Sequence, residues 1–186
     1  MSVKFPLATA SWGQEELDAI QRVIASGMFT MGANVLAFEK AFAQYVGSQH
    51  CVMVNSGSSA NLLMIAALFY TQNPKLKLQR GDEVIVPAVS WSTTYYPLYQ
   101  YGLKIKFVDI DLHTLNYDLN QLQAAVTNKT RAIMAVNLLG NPNDFDRINT
   151  IIEGRDIFLV EDNCESMGAT YRGKQTGTFG VLGTYS

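Results

Sequence analysis

The residues best equipped for chemistry follow an apolar run: Ile157-Phe158-Leu159-Val160 leads into Glu161-Asp162-Asn163-Cys164-Glu165. Ligands of open α/β sheets bind at the carboxyl ends of the strands, so a carboxylate placed there can address a bound molecule without lying in the core. Asp162, two residues past the run, is positioned to pair with a protonated ring nitrogen and so keep a heteroaromatic ring able to take up charge. Glu161 is expected to turn away toward solvent or a helix end. Glu165 either shares the pocket or caps a helix.

A second cluster, Asn55-Ser56-Gly57-Ser58-Ser59-Ala60-Asn61, joins a short strand to an apolar helix. Unpaired backbone N–H groups and serine hydroxyls at a helix N-terminus suit an anion, and this turn reads as a phosphate cup or as an ordinary helix cap. It is neither a Walker sequence nor the dinucleotide glycine pattern, because the required Lys and glycine spacing are missing. Pro87-Ala88-Val89-Ser90-Trp91-Ser92-Thr93-Thr94 marks another strand end, where Trp91 could cover an aromatic ligand face or serve packing alone. Asn137 and Asn141-Pro142 mark a further strand end and turn, with little chemistry in the pattern itself.

The elements that must position these groups alternate. Helical spacing of Leu17, Ile20, Val23 and Ile24 predicts a first helix, capped by Ser11 and ended by Ser26-Gly27. Met28 to Gly32 forms a bridge, read as a packed connection or a substrate lip, to a helix over about 34–46 ending at Gly47. Strands are predicted over 51–54, 83–86, 106–108, 132–136 and 157–160, with helices through Tyr70 and near 94–101, 119–126 and 144–152. This order argues an α/β fold with a mostly parallel sheet covered on both faces.

With 186 residues and 48% hydrophobic composition, the chain can bury a core. The formal net charge of -2 comes without a basic stripe, which argues against a nucleic-acid partner. Cys51 and Cys164 are spaced like neither a zinc site nor a disulfide scaffold, so no metal and a reduced cytoplasmic setting are expected. The opening Met-Ser-Val-Lys-Phe-Pro lacks a signal-peptide pattern, and the apolar stretch 62–70 is too short to span a bilayer.

Taken together, Asn55 to Asn61, Val86 to Thr93, Phe107-Val108-Asp109, Asn137 to Pro142, Glu161 to Ala169 and Gly177-Thr178-Phe179-Gly180 resemble the amino-terminal half of the DegT/DnrJ/EryC1/StrS sugar aminotransferase and dehydratase family. The resemblance implies a type I pyridoxal phosphate aminotransferase fold, an αβα sandwich. It makes residues 1–186 an incomplete large cofactor-binding domain, with an amino-terminal helical segment at about 1–33 and the carboxyl-terminal domain absent. It implies pyridoxal phosphate or pyridoxamine phosphate as cofactor. Gly57, Ser58 and Ser186 would hold the phosphate, Trp91 would stack on the ring, Asp162 would pair with the pyridine nitrogen, and Glu165 would occupy a further position of the pocket.

The same resemblance implies a homodimer that uses glutamate and a GDP-linked 4-keto-6-deoxy sugar, removing the 3-hydroxyl on the route to colitose in surface polysaccharide. The catalytic residue, a His in the dehydratases or a Lys in the aminotransferases, is expected shortly after Ser186, so the chain alone is expected to be inactive. A nucleotide-sugar 4-aminotransferase and a noncatalytic interaction fragment are the alternatives. The CDP-sugar branch would need iron–sulfur cysteines that Cys51 and Cys164 cannot supply.

Overall fold

A computed structural model describes residues 10–186. The chain divides into a unit that ends at Phe38 and a larger unit over Glu39–Ser186. The first nine residues of the amino-terminal segment lie outside the described part.

In the first unit, helix α1 spans Gln14–Ser26 and α2 begins at Ala33, running on to Val46 in the second unit. Helix α1 starts later than the Ser11 cap predicts. Glu16 reaches back to accept from the Gly13 N–H at 2.6 Å, half of a capping box, and this fixes Gly13 at the cap position. Gly27 ends the helix in the left-handed conformation, φ 65°. The apolar spacing is helical as expected, and Leu17, Ile20 and Ile24 are exposed in this chain, as are Met28, Phe29 and Met31 of the bridge.

The larger unit contains α3 (Gly57–Tyr70), β1 (Glu83–Pro87), α4 (Ser92–Gln100), β2 (Lys104–Val108), α5 (Leu119–Ala125), β3 (Thr130–Val136), α6 (Phe145–Ile152) and β4 (Phe158–Asp162). A two-stranded hairpin, β5 (Thr170–Tyr171) and β6 (Lys174–Gln175), precedes β7 (Leu182–Thr184). The main sheet is parallel throughout, in the order β2-β1-β3-β4-β7. Chain progression reverses between β1 and β3, the switch point beside which α/β sheets open a ligand crevice at their carboxyl ends.

Alternation along the strands sorts the core into two layers. Val84, Val86, Ala132, Met134, Phe158 and Val160 pack with Met64, Ile65 and Leu68 of α3 and Leu98 of α4. Ile85, Ile133, Ala135 and Leu159 pack with Leu122 of α5 and Phe145, Ile148 and Ile151 of α6. This parity decides where the acidic residues point. Strand β4 continues through Glu161 and Asp162, so both lie within the sheet and not past its end. Asp162 shares the face of Phe158 and Val160, toward α3 and α4, while Glu161 shares the face of Leu159, toward α6.

The strand predicted over 51–54 does not form; that segment is irregular, with Val52 and Met53 exposed. Met53 N–H donates to Glu39 Oε1 at 2.8 Å, where a strand would have paired its amide with a neighbour. Strand β7 and the short hairpin were not predicted.

Candidate cofactor site

Three elements converge on Asp162, which is 2% exposed. Its Oδ2 accepts from Asn61 Nδ2 on α3 at 2.9 Å and from Thr94 Oγ1 on α4 at 2.8 Å. Its Oδ1 accepts a long contact, 3.3 Å, from the Cys164 N–H, and the Cys164 thiol also hydrogen-bonds the carboxylate. Among the described residues, no Lys, Arg or His pairs with this carboxylate. The side chains that donate to this buried carboxylate from α3 and α4 are neutral, and Oδ1 keeps capacity to accept from a further donor. Burial, together with the negative charge of Asp162, pushes the neighbouring Cys164 thiol up to about 12.

Gly57 and Ser58 occupy the first two positions of α3, whose N-cap Ser56 accepts from the Ser59 N–H at 3.2 Å. The amides of Gly57 and Ser58 precede the first intrahelical bond, that of Ala60 to the Ser56 carbonyl, and so remain available as anion donors. Ser186 follows β7 and stands directly against Gly57, with its Cα 3.7 Å from where a Gly57 Cβ would lie. Trp91 is the N-cap residue of α4, one turn before Thr94, and its side chain is 71% exposed. The helix N-terminus, Ser186, Trp91 and Asp162 are thus gathered around the carboxyl end of the sheet.

Glu165 lies in the turn after β4, and its Oε2 accepts from the Leu139 N–H at 2.9 Å. It braces the turn after β3, where Leu139 has left-handed φ 52°, and caps no α-helix.

Glu161 overturns the expectation that it faces solvent or a helix end: it is fully buried. Its Oε1 accepts from the N–H groups of Phe179 at 2.6 Å and Gly180 at 2.7 Å, and its Oε2 from Gly177 N–H at 2.7 Å and Asn137 Nδ2 at 3.3 Å. Burial pushes its carboxyl above the usual range, against the pull of these donors. The Gly177-Thr178-Phe179-Gly180 segment is therefore a loop tied onto a buried carboxylate just before β7. Phe179 stacks on Phe145 with centroids 4.0 Å apart, and a Cβ on Gly180 would approach the Leu159 carbonyl oxygen to 2.6 Å.

Reading the residues singly did not pick out Asn61 or Thr94. Asn61 closes the α3 cluster at the spacing of one helical turn past Gly57, a signal available in principle. That it meets a carboxylate 101 residues away required the fold.

A parallel sheet clad on both faces, with an anion-ready helix start and a buried carboxylate at its carboxyl edge, is the fold type I arrangement of the pyridoxal-phosphate aminotransferases. The chain belongs to the DegT/DnrJ/EryC1/StrS aminotransferase family, whose model matches residues 10–186. It is 66% identical over 184 residues to GDP-4-keto-6-deoxy-D-mannose 3-dehydratase of Yersinia pseudotuberculosis, covering 99% of this chain and 46% of that protein. It superposes with TM-score 0.96 and 62% identity on the Escherichia coli GDP-4-keto-6-deoxy-D-mannose-3-dehydratase with bound hydrated PLP, over 100% of this chain and 47% of that one. A structure of GDP-4-keto-6-deoxymannose-3-dehydratase with a trapped PLP-glutamate geminal diamine matches at TM-score 0.95 and 63% identity, over 98% and 47%. The chain spans about half the length of the relatives it matches.

Proposed function

We propose that this chain forms the cofactor-binding half of a pyridoxal/pyridoxamine phosphate-dependent enzyme that removes the 3-hydroxyl of GDP-4-keto-6-deoxymannose. The observation that carries the reading is Asp162: a buried carboxylate, held by neutral donors and lacking a cationic partner among the described residues, in a chain this similar to such dehydratases. The reading also includes glutamate as the amino donor, a homodimer, a cytoplasmic setting and a place in making the 3,6-dideoxy sugar colitose for surface polysaccharide. Among the described residues no helix is long and apolar enough to cross a membrane.

The residues fit the cofactor. Gly57 and Ser58 would offer amides, and Ser58 and Ser186 hydroxyls, to its phosphate. Trp91 would lie on its ring, and Glu165 would act on the pocket through the Leu139 turn that it braces. When bound, the cofactor supplies an amine for the C4 ketone and a ring that takes up charge beside it. Asp162 would accept from the protonated ring nitrogen and so keep that ring able to take up charge. Trp91 would exclude water from one ring face, and the start of α3 would anchor the anionic end against displacement. In the balanced reaction the sugar loses its 3-hydroxyl oxygen, glutamate becomes 2-oxoglutarate, and ammonia is released.

The test is incubation of the full-length protein with pyridoxal phosphate, glutamate and GDP-4-keto-6-deoxymannose. Mass spectrometry should find the 3-deoxy-4-keto product together with 2-oxoglutarate. An amino sugar that keeps its 3-hydroxyl would replace dehydration by transamination, and absence of both products would overturn the enzyme reading.

A further inference from the structure

Asp162 does not stand alone: its Oδ2 is claimed twice, by side chains from two different helices. Asn61 and Thr94 are both buried, at 3% and 0% exposure. The Asn61 amide is oriented by its surroundings. Its Nδ2 faces two acceptors, Asp162 Oδ2 and the Thr93 carbonyl at 3.3 Å, while its Oδ1 accepts from Thr184 Oγ1 at 2.6 Å. A flipped amide would set an oxygen against a carboxylate and a carbonyl, so only one orientation is satisfied. Thr94 is set in the same way. Its single hydroxyl proton goes to Asp162, so Ser90 Oγ, 2.8 Å away, must be the donor in their contact.

We infer that Asn61 and Thr94 are positioning residues for Asp162, holding Oδ2 from both sides so that Oδ1 is the oxygen presented to a cationic ligand. The inference rests on the cofactor reading above and deepens it. Both donors are neutral, so they fix the direction of the carboxylate without cancelling its charge, as Lys or Arg in either place would. They also tie the carboxylate to the starts of α3 and α4, which carry Gly57 with Ser58 and Trp91, respectively. Phosphate cup, ring cover and ring-nitrogen partner are thereby held in one register. Thr184, on β7 two residues before Ser186, links the fourth segment of the site to the same amide.

The experiment uses the full-length protein loaded with pyridoxal phosphate labelled with 15N in the ring, comparing the unmodified protein with Thr94→Val, Asn61→Leu, the double variant and Asp162→Asn. Three quantities are read: the ring 15N shift, the cofactor dissociation constant and the thermal stability of the cofactor-free protein. The unmodified protein should show a protonated ring nitrogen and Asp162→Asn a neutral one. Thr94→Val, close to isosteric, should weaken binding about tenfold and move the 15N signal part of the way toward the neutral value. The double variant should lose less than the product of the two single losses, because both donors act on one oxygen. Variants that lose stability yet keep a protonated ring and unchanged affinity would show a purely structural role and overturn the inference. Failure of the unmodified protein to bind the cofactor, or a ring signal indifferent to Asp162→Asn, would overturn the cofactor reading itself and the inference with it. Should Asn61→Leu fail to fold, Thr94→Val decides alone.

Discussion

A Cβ built on Gly57 would stand 2.7 Å from the Cβ of Ser186 and 2.9 Å from its Oγ. The start of α3 and the segment after β7 therefore meet with no space for a methyl group, and any side chain at position 57 must push Ser186 away. In Gly57→Ala a gain of up to about 1 kcal/mol from helix propensity only partly offsets a loss of about 1–3 kcal/mol from overpacking. Thermal stability should therefore fall modestly, while affinity for pyridoxal phosphate falls at least about tenfold, a loss on the order of 1.4 kcal/mol. Calorimetric titration beside a melting curve checks both; unchanged affinity would remove Gly57 and Ser186 from the cup.

Trp91 and Ser58 should separate in rank. The Trp91 side chain is mostly exposed, so Trp91→Ala should leave the fold intact and remove only the cover over the cofactor ring, weakening binding about tenfold. Ser58→Ala removes one hydroxyl from a cup whose backbone amides remain, so its effect should be smaller, about threefold. Cofactor titration of the two folded variants tests the order, and equal affinity of Trp91→Ala and the unmodified protein would reject ring cover as a binding contribution.

Much of this arrangement was legible in the sequence, and the exceptions have physical causes. The helices over 57–70 and 145–152 and the strands β1, β3 and β4 follow from the pattern of apolar runs, and Asp162 stands out as a carboxylate at a strand end. Parity in β4 carries the signal that separates the two carboxylates. Once Phe158 and Val160 face one layer and Leu159 the other, neighbouring carboxylates must diverge, Asp162 toward α3 and α4 and Glu161 toward α6. The segment 51–54 carries a strand-like composition but no pairing neighbour, and composition alone does not make a strand. Strand β7 escaped because Leu182–Thr184 is short and is aligned by a tied-down loop, not by an apolar run of its own.

Glu161 gives a stability prediction independent of any cofactor. In Glu161→Gln only one oxygen remains, and the new amide nitrogen must confront a donor: Gly177 N–H and Asn137 Nδ2 if the oxygen keeps the Phe179 and Gly180 pair. The unmet groups should cost about 3 kcal/mol at neutral pH. Because burial raises this carboxyl in the folded state, the unmodified protein should be most stable with Glu161 protonated. Its contribution should fall as pH rises from the unfolded value, about 4.3, through the folded one, then level off. Denaturant melts across that range should show this slope in the unmodified protein and lose it in Glu161→Gln. An identical slope in both would place the titration elsewhere.

Gly180 tests the same loop from the backbone side. A Cβ there would approach the Leu159 carbonyl oxygen to 2.6 Å, at the point where the Val181 N–H donates to that carbonyl at 2.8 Å. Gly180→Ala should therefore detach the loop from β4 and destabilise by about 1–3 kcal/mol. Hydrogen exchange should show faster amide exchange at Phe179 and Val181. Unaltered protection at both positions would show that the loop absorbs the methyl group.

Cys164 reports on the charge of Asp162 directly. Its thiol is pushed up to about 12, first by burial and then by the adjacent negative carboxylate, so at pH 8 only about one part in ten thousand is thiolate. Alkylation of native Cys164 by iodoacetamide should be slow at that pH and become fast on unfolding. Asp162→Asn removes the nearby negative charge and leaves the burial, so native-state alkylation at Cys164 should quicken several-fold with the melting curve little changed. On the proposed function, the same variant of the full-length protein loaded with cofactor should lose turnover by about a hundredfold or more, since Asn would not keep a ring nitrogen protonated. Peptide mapping by mass spectrometry reads the alkylation, and 3-deoxy product formation reads the turnover. An unchanged alkylation rate would show that Asp162 carries no charge next to Cys164, and near-normal turnover in the loaded variant would remove Asp162 from the electron-sink role.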